Sequence, residues 1–355
     1  MRRRSHRSLF IALAVLIAVT VALFLRQKAP PEAARLLPES DAIVYVHLKT
    51  VRAATHFDTS SLGHSAEFQK FVDATGIVPE RDIDSAAVAL HRVPVDPGTR
   101  PRHPGERVPK AEVFVSEVFI GRFDGQKLTK YLSQSATARE NYGGRDIYSI
   151  PIDGQTVRVA QLGYDTIAAS NMPTPEQIHS MVDRQHASAL WTPGSSLLAA
   201  RYSEVPLLSQ AWAIGHIGLP FAENGHISVM GLQLPLSEDT DLVASLRYSG
   251  AVHLRIEEFA PTEDVAKHTV ETLTGLLGIF RGIQDAAPAE TPGAQAMRKL
   301  TDSIELKHDK DRAILTATAT TDEIRTMATA ANTPPPPPTL PPAAASPVAR
   351  TSKHQ

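Results

Sequence analysis

The sequence predicts an α+β protein: antiparallel sheets with helices packed on one face, preceded by one transmembrane helix and followed by a disordered proline-rich tail. Three observations predict it. An apolar run at residues 9–25 is flanked by basic residues. Beyond it, short segments of alternating β-branched and aromatic residues are interleaved with amphipathic segments at helical spacing. At the C-terminal end, residues 332–355 are dominated by proline and alanine, a composition that cannot bury a core.

The apolar run lies within "RRRSHRSLFIALAVLIAVTVALFLRQ", residues 2–27. From Leu9 to Leu25 its one polar member is Thr20, whose hydroxyl can bond back to its own helix. At 1.5 Å per residue the run gives a helix of roughly 25 Å, near the lower limit for crossing a bilayer core. Arg7 and Arg26 can extend their stems and keep their charges among the headgroups, which lengthens the usable span. A signal peptide would end in a small-x-small site in polar sequence. Here the apolar core runs straight into Arg26, Gln27 and Lys28, and Ala29 is followed by Pro30 and Pro31. The expectation is an uncleaved anchor in the lipid bilayer at residues 9–25.

Arg2, Arg3, Arg4 and Arg7 outweigh Arg26, Lys28 and Arg35, which predicts a cytoplasmic stub at residues 1–8. The bulk of the chain would then lie beyond the inner (cytoplasmic) membrane, in the periplasm or its equivalent. Ala14, Ala18 and Ala22 recur every fourth residue and share one helix face. Such a face lets two anchors approach closely as a homodimer, although alanine is also simply common in such segments. No second run spans, because Leu207 to Phe221 is broken by Gln210, Gly215, His216 and Gly218.

Composition bounds the rest. Hydrophobic content of 42% and charged content of 21% are those of an ordinary globular chain. A net charge of −2 provides no global field for nucleic acid, so none is expected as a partner. The absence of cysteine excludes disulfides, thiolate-held metals, thiol catalysis and a lipid-acceptor cysteine. The ectodomain must therefore be held by burial.

After a linker at residues 26–37, a first α+β unit is expected over 38–191 and a second over 192–331. In the first, Ile43, Tyr45 and His47 alternate with Val44, Val46 and Leu48 as a half-buried strand. Phe68, Phe71 and Val72 mark a helix ending at Gly76. "SAAVALHRV" and "AEVFVSEVFIGRF" read as strands, separated by the proline-rich, basic loop "PVDPGTRPRHPGERVPK". "DGQKLTKYLSQ" is an amphipathic helix with Leu128, Tyr131 and Leu132 inward. A meander follows, turning at Asp153-Gly154 and Gly163-Tyr164, and then a helix capped by Thr174 with Ile178, Met181 and Val182 on its apolar face.

In the second unit, "SLLAARYSEV" reads as extended and "VPLLSQAWAIGHIGLPF" as a helix with Leu207, Leu208, Ala211, Trp212 and Ile214 as its stripe. Three strands follow, the last two a hairpin turning at Ser249-Gly250. A long helix starts at the cap Thr262, with Val270, Leu273, Leu277 and Phe280 facing inward. Gly275, Gly278 and Gly282 either weaken that helix or admit a close neighbour. A hairpin with Asp309 to Asp311 at its tip closes the unit. The two units share this grammar, which points to a distant tandem duplication.

The chemistry-bearing patterns are few. No H-E-x-x-H, nucleophile elbow, phosphate loop or dinucleotide fingerprint occurs, so no catalytic residue, metal site or cofactor is assigned. Asp82 and Asp84, and Asp309 and Asp311, lack the glycine and distal glutamate of a calcium loop and read as turn residues. The second pair is neutralised by Lys307, Lys310 and Arg312. One arrangement stands apart. In "AVHLRIEEF", His253, Arg255 and Glu257 share one strand face, with Arg247 on the preceding strand. A polar strand face is either a binding groove or the wet side of a sheet.

An anchor followed by "LLPESDAIVYVHLKTVR", "EVFIGRFDGQKLTKYL" and "GYDTIAASNMPTPEQIHSMVD" resembles single-pass, membrane-anchored envelope proteins of soil bacteria, acidobacteria in particular. It also resembles a domain-of-unknown-function family of envelope proteins that begins with an "LP.D...Y" strand. The resemblance covers residues 36–330 and brings no active-site motif, so it implies no site residues and no activity. Two functions are therefore expected in competition. One is an extracytoplasmic binding or scaffold protein with a partner in the envelope. The other is an envelope enzyme of unrecognised type acting on a polymer or small molecule.

Overall fold

The computed structural model describes residues 29–55, 66–94, 111–187, 194–216, 222–223, 226–229, 232–235, 240–286 and 291–332. The expected anchor with its alanine face, the basic loop within 94–110 and the tail beyond 332 lie outside the described residues. Among the described residues no helix is long and apolar enough to cross a membrane.

The described residues open with helix α1 (Glu32–Leu36), strand β1 (Ala42–Val46), α2 (Leu48–Thr55), α3 (Ala66–Thr75) and α4 (Pro79–Asp82). Two long strands, β2 (Ile83–Pro94) and β3 (Ala111–Gly121), lead to α5 (Gly125–Ser135). Strands β4 (Ala138–Tyr142), β5 (Arg145–Ile152), β6 (Gln155–Gln161) and β7 (Thr166–Ser170) form the meander, and α6 (Glu176–His186) closes this half. The second half runs α7 (Ser196–Arg201), a 3₁₀ turn (Tyr202–Glu204), β8 (Ala211–His216), β9 (Ala222–Glu223), β10 (His226–Val229) and β11 (Leu232–Pro235). It continues with β12 (Asp241–Tyr248), β13 (Ala251–Phe259), α8 (Glu263–Ala286), α9 (Pro292–Asp302), β14 (Glu305–Asp309), β15 (Arg312–Thr320) and α10 (Thr321–Asn332).

Among these, twelve strands form one sheet in the order β14-β15-β13-β12-β8-β1-β2-β3-β7-β6-β5-β4, and β9 to β11 form a small separate one. Every pairing in both is antiparallel. The halves meet at one seam, where β1 pairs β8 with Tyr45 opposite Trp212 and Ile43 opposite Ile214. Outward from that seam the strand order is β1-β2-β3-β7-β6 on one side and β8-β12-β13-β15-β14 on the other. After the third strand, α5 leads into the meander β4 to β7, whose last strand folds back beside β3, and α8 and α9 lead into the hairpin β14-β15, whose last strand folds back beside β13.

Helices cover both faces of the sheet, not one as the sequence predicts. Ile147 and Tyr148 are adjacent on β5 and point to opposite faces, as any strand requires. Ile147 joins a core with Ile178, Met181 and Val182 of α6, whereas Tyr148 joins one with Leu128 and Leu132 of α5. A central strand buried on both faces needs two helical layers.

Other expectations also change. Residues 32–37 do not behave as linker: Ala33, Ala34, Leu36 and Leu37 are buried within the core. The segment expected to be extended, Ser196–Arg201, is helical because Ser195 accepts the Leu198 N–H at 3.3 Å as an N-cap. Ala211–His216, expected as helix, is a strand with β1 on one side and β12 on the other. Trp212 and Ile214 are buried and fit a period of two as well as a helical stripe. Sheet pairing on both sides decides between them. The α6 cap is Pro175 rather than Thr174, and makes no side-chain cap bond. The cap at Thr262 is present, accepting the Val265 N–H at 3.4 Å.

Candidate functional site

The four polar residues singled out on the strands line one cleft of about 1060 Å³. Register explains their convergence. Arg247 of β12 lies opposite His253 of β13, and Ser245 lies opposite Arg255. The same pleat row continues through Trp212 to Tyr45. One pleat further along, Ile43, Ile214, Val243 and Glu257 form the adjacent row on the same face. The face is apolar core beneath α1 and α7, then turns charged where those helices no longer cover it.

The floor is a chain of ion pairs. Glu257 is 3% exposed. It accepts from Arg255 Nε at 2.5 Å and from Arg312 at 3.4 Å. Arg312 also donates to Glu204 at 2.9 Å, and the Glu204 carboxylate raises the Arg312 pKa. The Arg312 and Arg201 guanidinium groups approach the Phe259 ring at 4.6 and 4.7 Å. Arg201 is in turn held by Asp241 at 2.5 Å. A buried carboxylate between two guanidinium groups satisfies the rule that buried charge be paired.

The facing wall is aromatic. Tyr45 stacks on Trp212 at 5.4 Å between centroids, and Tyr202 meets the same indole edge-on at 5.4 Å. Burial pushes the Tyr45 hydroxyl up to about 12 and raises that of Tyr202, so both are neutral. Burial lowers the pKa of His47, whose Nδ1 is 2.5 Å from the Thr50 hydroxyl. The rim is a tight turn after the 3₁₀ segment. There Leu208 adopts a φ of 66°, and Leu207 and Leu208 are 44% and 71% exposed. A leucine in the left-handed region is strained, and this turn lifts two apolar side chains over the cleft.

Arg247 has no partner among the described residues, and His253 bonds the Thr318 hydroxyl at 3.2 Å. Sequence reasoning missed Tyr45, Tyr202, Glu204, Trp212 and Arg312 as parts of this cleft. Arg312, expected to neutralise the hairpin-tip aspartates, is instead committed to Glu204 and Glu257. No local pattern links residues 108 and 55 positions apart.

Two further constellations resemble catalytic ones. His91 Nε2 lies 2.9 Å from the Ser116 hydroxyl, which lies 3.0 Å from that of Ser170. His91 is 5% exposed and Ser116 0%, so no substrate reaches them and the chain cross-links β2, β3 and β7. His179 stacks on Tyr142 and contacts Glu140 at 2.8 Å, while the Tyr142 hydroxyl donates to Asp183. That cluster ties the edge strand β4 to α6. Among the described residues no group of three or more histidines and carboxylates is arranged to hold a metal ion.

No family model and no curated protein matches the chain. Among solved structures it is similar to TP0453. Crystal form I aligns at 10% identity and a TM-score of 0.41, over 85% of this chain and 98% of that one. Form III aligns at 11% identity and 0.43, over 85% and 99%.

Proposed function

We propose that this protein is a membrane-tethered binding protein whose cleft between β12, β13 and the turn after α7 holds its ligand. One observation carries the reading: an aromatic wall and a set of guanidinium groups from distant parts of the chain converge on one concavity of ligand size. Binding is favoured over the envelope-enzyme alternative because the cleft's acids are committed. Glu257 and Glu204 are each held by arginine, so among the described residues lining the cleft no carboxylate is free as a general base.

The tether supports the same reading. Ala29 and Pro31 line the cleft. An anchor ending at Leu25 leaves Arg26, Gln27 and Lys28 between it and Ala29, a span of about 10 Å when extended. The cleft would open close to the bilayer surface, on the side away from the cytoplasm. The tail from Thr333 onward would act as a spacer or docking peptide, and the alanine face of the anchor as a dimer contact. The shared strand order of the two halves supports an origin by tandem duplication.

Native mass spectrometry tests the binding reading. The chain has no cysteine, so Ser203→Cys on the exposed rim can be labelled uniquely with a bulky maleimide. Full-length protein extracted from membranes should carry a bound mass that the labelled variant lacks. Wild-type protein without any bound mass, or a mass that survives plugging of the cleft, would overturn the reading.

A further inference from the structure

We propose that the ligand is an anionic amphiphile: a carboxylate or phosphate head carried on an apolar body. The inference rests on the binding reading above and names its chemistry. It starts from a charge count within the cleft. Three guanidinium groups, those of Arg247, Arg255 and Arg312, face two carboxylates, Glu204 and Glu257. Glu257 is engaged from both sides, and Arg312 divides itself between Glu257 and Glu204. One cation is left over.

The surplus is also localised. Among the described residues Arg247 has no partner, and Arg255 spends only its Nε on Glu257. Its two terminal nitrogens have no partner among the described residues, and its side chain is 41% exposed. Arg247 and Arg255 are diagonal neighbours on one sheet face, so their side chains stand roughly 7–8 Å apart at the base. A carboxylate or phosphate seated between them meets two planar forks of donors, the geometry guanidinium favours.

The other wall excludes a simple ion. Tyr45, Trp212 and Tyr202 are buried or half-buried aromatics, with Leu207 and Leu208 above them. Ser245 lies in the same pleat row between Trp212 and Arg255 and is small. A head at Arg247 and Arg255 would place its attached apolar body against half-buried Tyr202 and exposed Leu207 and Leu208, next to the buried Trp212 that Tyr202 meets edge-on. A hydrated inorganic anion would leave the aromatic wall unused. A wholly apolar ligand would strip water from Arg247 without replacing it.

Trp212 reports on the cleft directly. The full-length Trp191→Phe variant, with Trp212 as its remaining tryptophan, is reconstituted in phosphatidylcholine nanodiscs and titrated with hexyl phosphate, hexanoate, hexanol, hexylammonium and inorganic phosphate. Hexyl phosphate and hexanoate should change the fluorescence saturably, with the other three at least tenfold weaker. Arg247→Gln, at an exposed site, should weaken both anionic amphiphiles about tenfold while the thermal midpoint stays in place. Replacing half the lipid by phosphatidylglycerol raises the apparent Kd if the head is drawn from the bilayer and leaves it unchanged if the ligand is free. Hexanol or hexylammonium binding as tightly as hexyl phosphate overturns the ligand class and leaves the binding reading intact. So does an unchanged affinity in Arg247→Gln. Silence toward every probe, in protein that still carries a bound mass, likewise overturns the class alone.

Discussion

Tyr45 and Trp212 face each other across the strand pair that joins the two halves, their rings stacked 5.4 Å apart at 25°. The same pair is the inner wall of the cleft. Stability and the proposed binding therefore share two side chains, which are 5% and 3% exposed. Trp212→Ala opens a cavity at the seam and should cost about 3–5 kcal/mol. Because one sheet runs through both halves, the loss should appear as a shift of a single urea transition followed by circular dichroism. Two separated transitions would show that the halves unfold independently.

The Glu257 carboxylate is shared by Arg255 and Arg312, whereas Glu204 serves Arg312 alone. Glu257→Gln leaves two neighbouring guanidinium groups without their common counter-ion and should destabilise by about 1–3 kcal/mol, reduced from the fully buried case because both arginines are partly exposed. Glu204→Gln, at a carboxylate 28% exposed, should cost under about 1 kcal/mol. Urea midpoints of the two variants give the comparison, and equal losses would contradict the assigned geometry.

Glu258, next along β13, points to the opposite face. It is 4% exposed and accepts a 3.4 Å bond from Thr269 of α8, and its Oε2 has no partner among the described residues. Burial raises its pKa. The folded state thus holds this proton more tightly than the unfolded chain. The resulting stability is fully present below the ordinary glutamate pKa and is lost as pH rises through the raised one. Glu258→Met removes the titrating group and keeps the volume. Its thermal midpoint should exceed that of the wild type at pH 7, and the gap should close on acidification to pH 4. A gap independent of pH would refute this.

Gly275, Gly278 and Gly282 of α8 have open space where a Cβ would sit. Among the described residues no close neighbour justifies them, so alanine at each should stabilise the helix by about 0.5–1 kcal/mol. Gly215 is the opposite case. A Cβ there would lie 2.7 Å from that of Ala42, its partner across the seam. Gly215→Ala should lower the thermal midpoint while the α8 substitutions raise it.

Much of this molecule is legible in its amino acids because short-range physics governs it. The alternation in β2 and β3, the meander turn at Asp153-Gly154, the cap at Thr262 and the apolar stripe of α6 each depend on residues a few positions apart. That Arg247, His253, Arg255 and Glu257 share a face follows from a period of two and one tight turn. Only the tertiary structure decided that Ala211–His216 is a strand, since Trp212 and Ile214 suit either period and two neighbouring strands supply the hydrogen bonds. It alone made that polar face a cleft, by setting Trp212 and Tyr45 in one pleat row with Arg255 and bringing Glu204 and Arg312 to Glu257. Strand order is a property of the whole sheet, so no local pattern encodes which distant side chains meet across it.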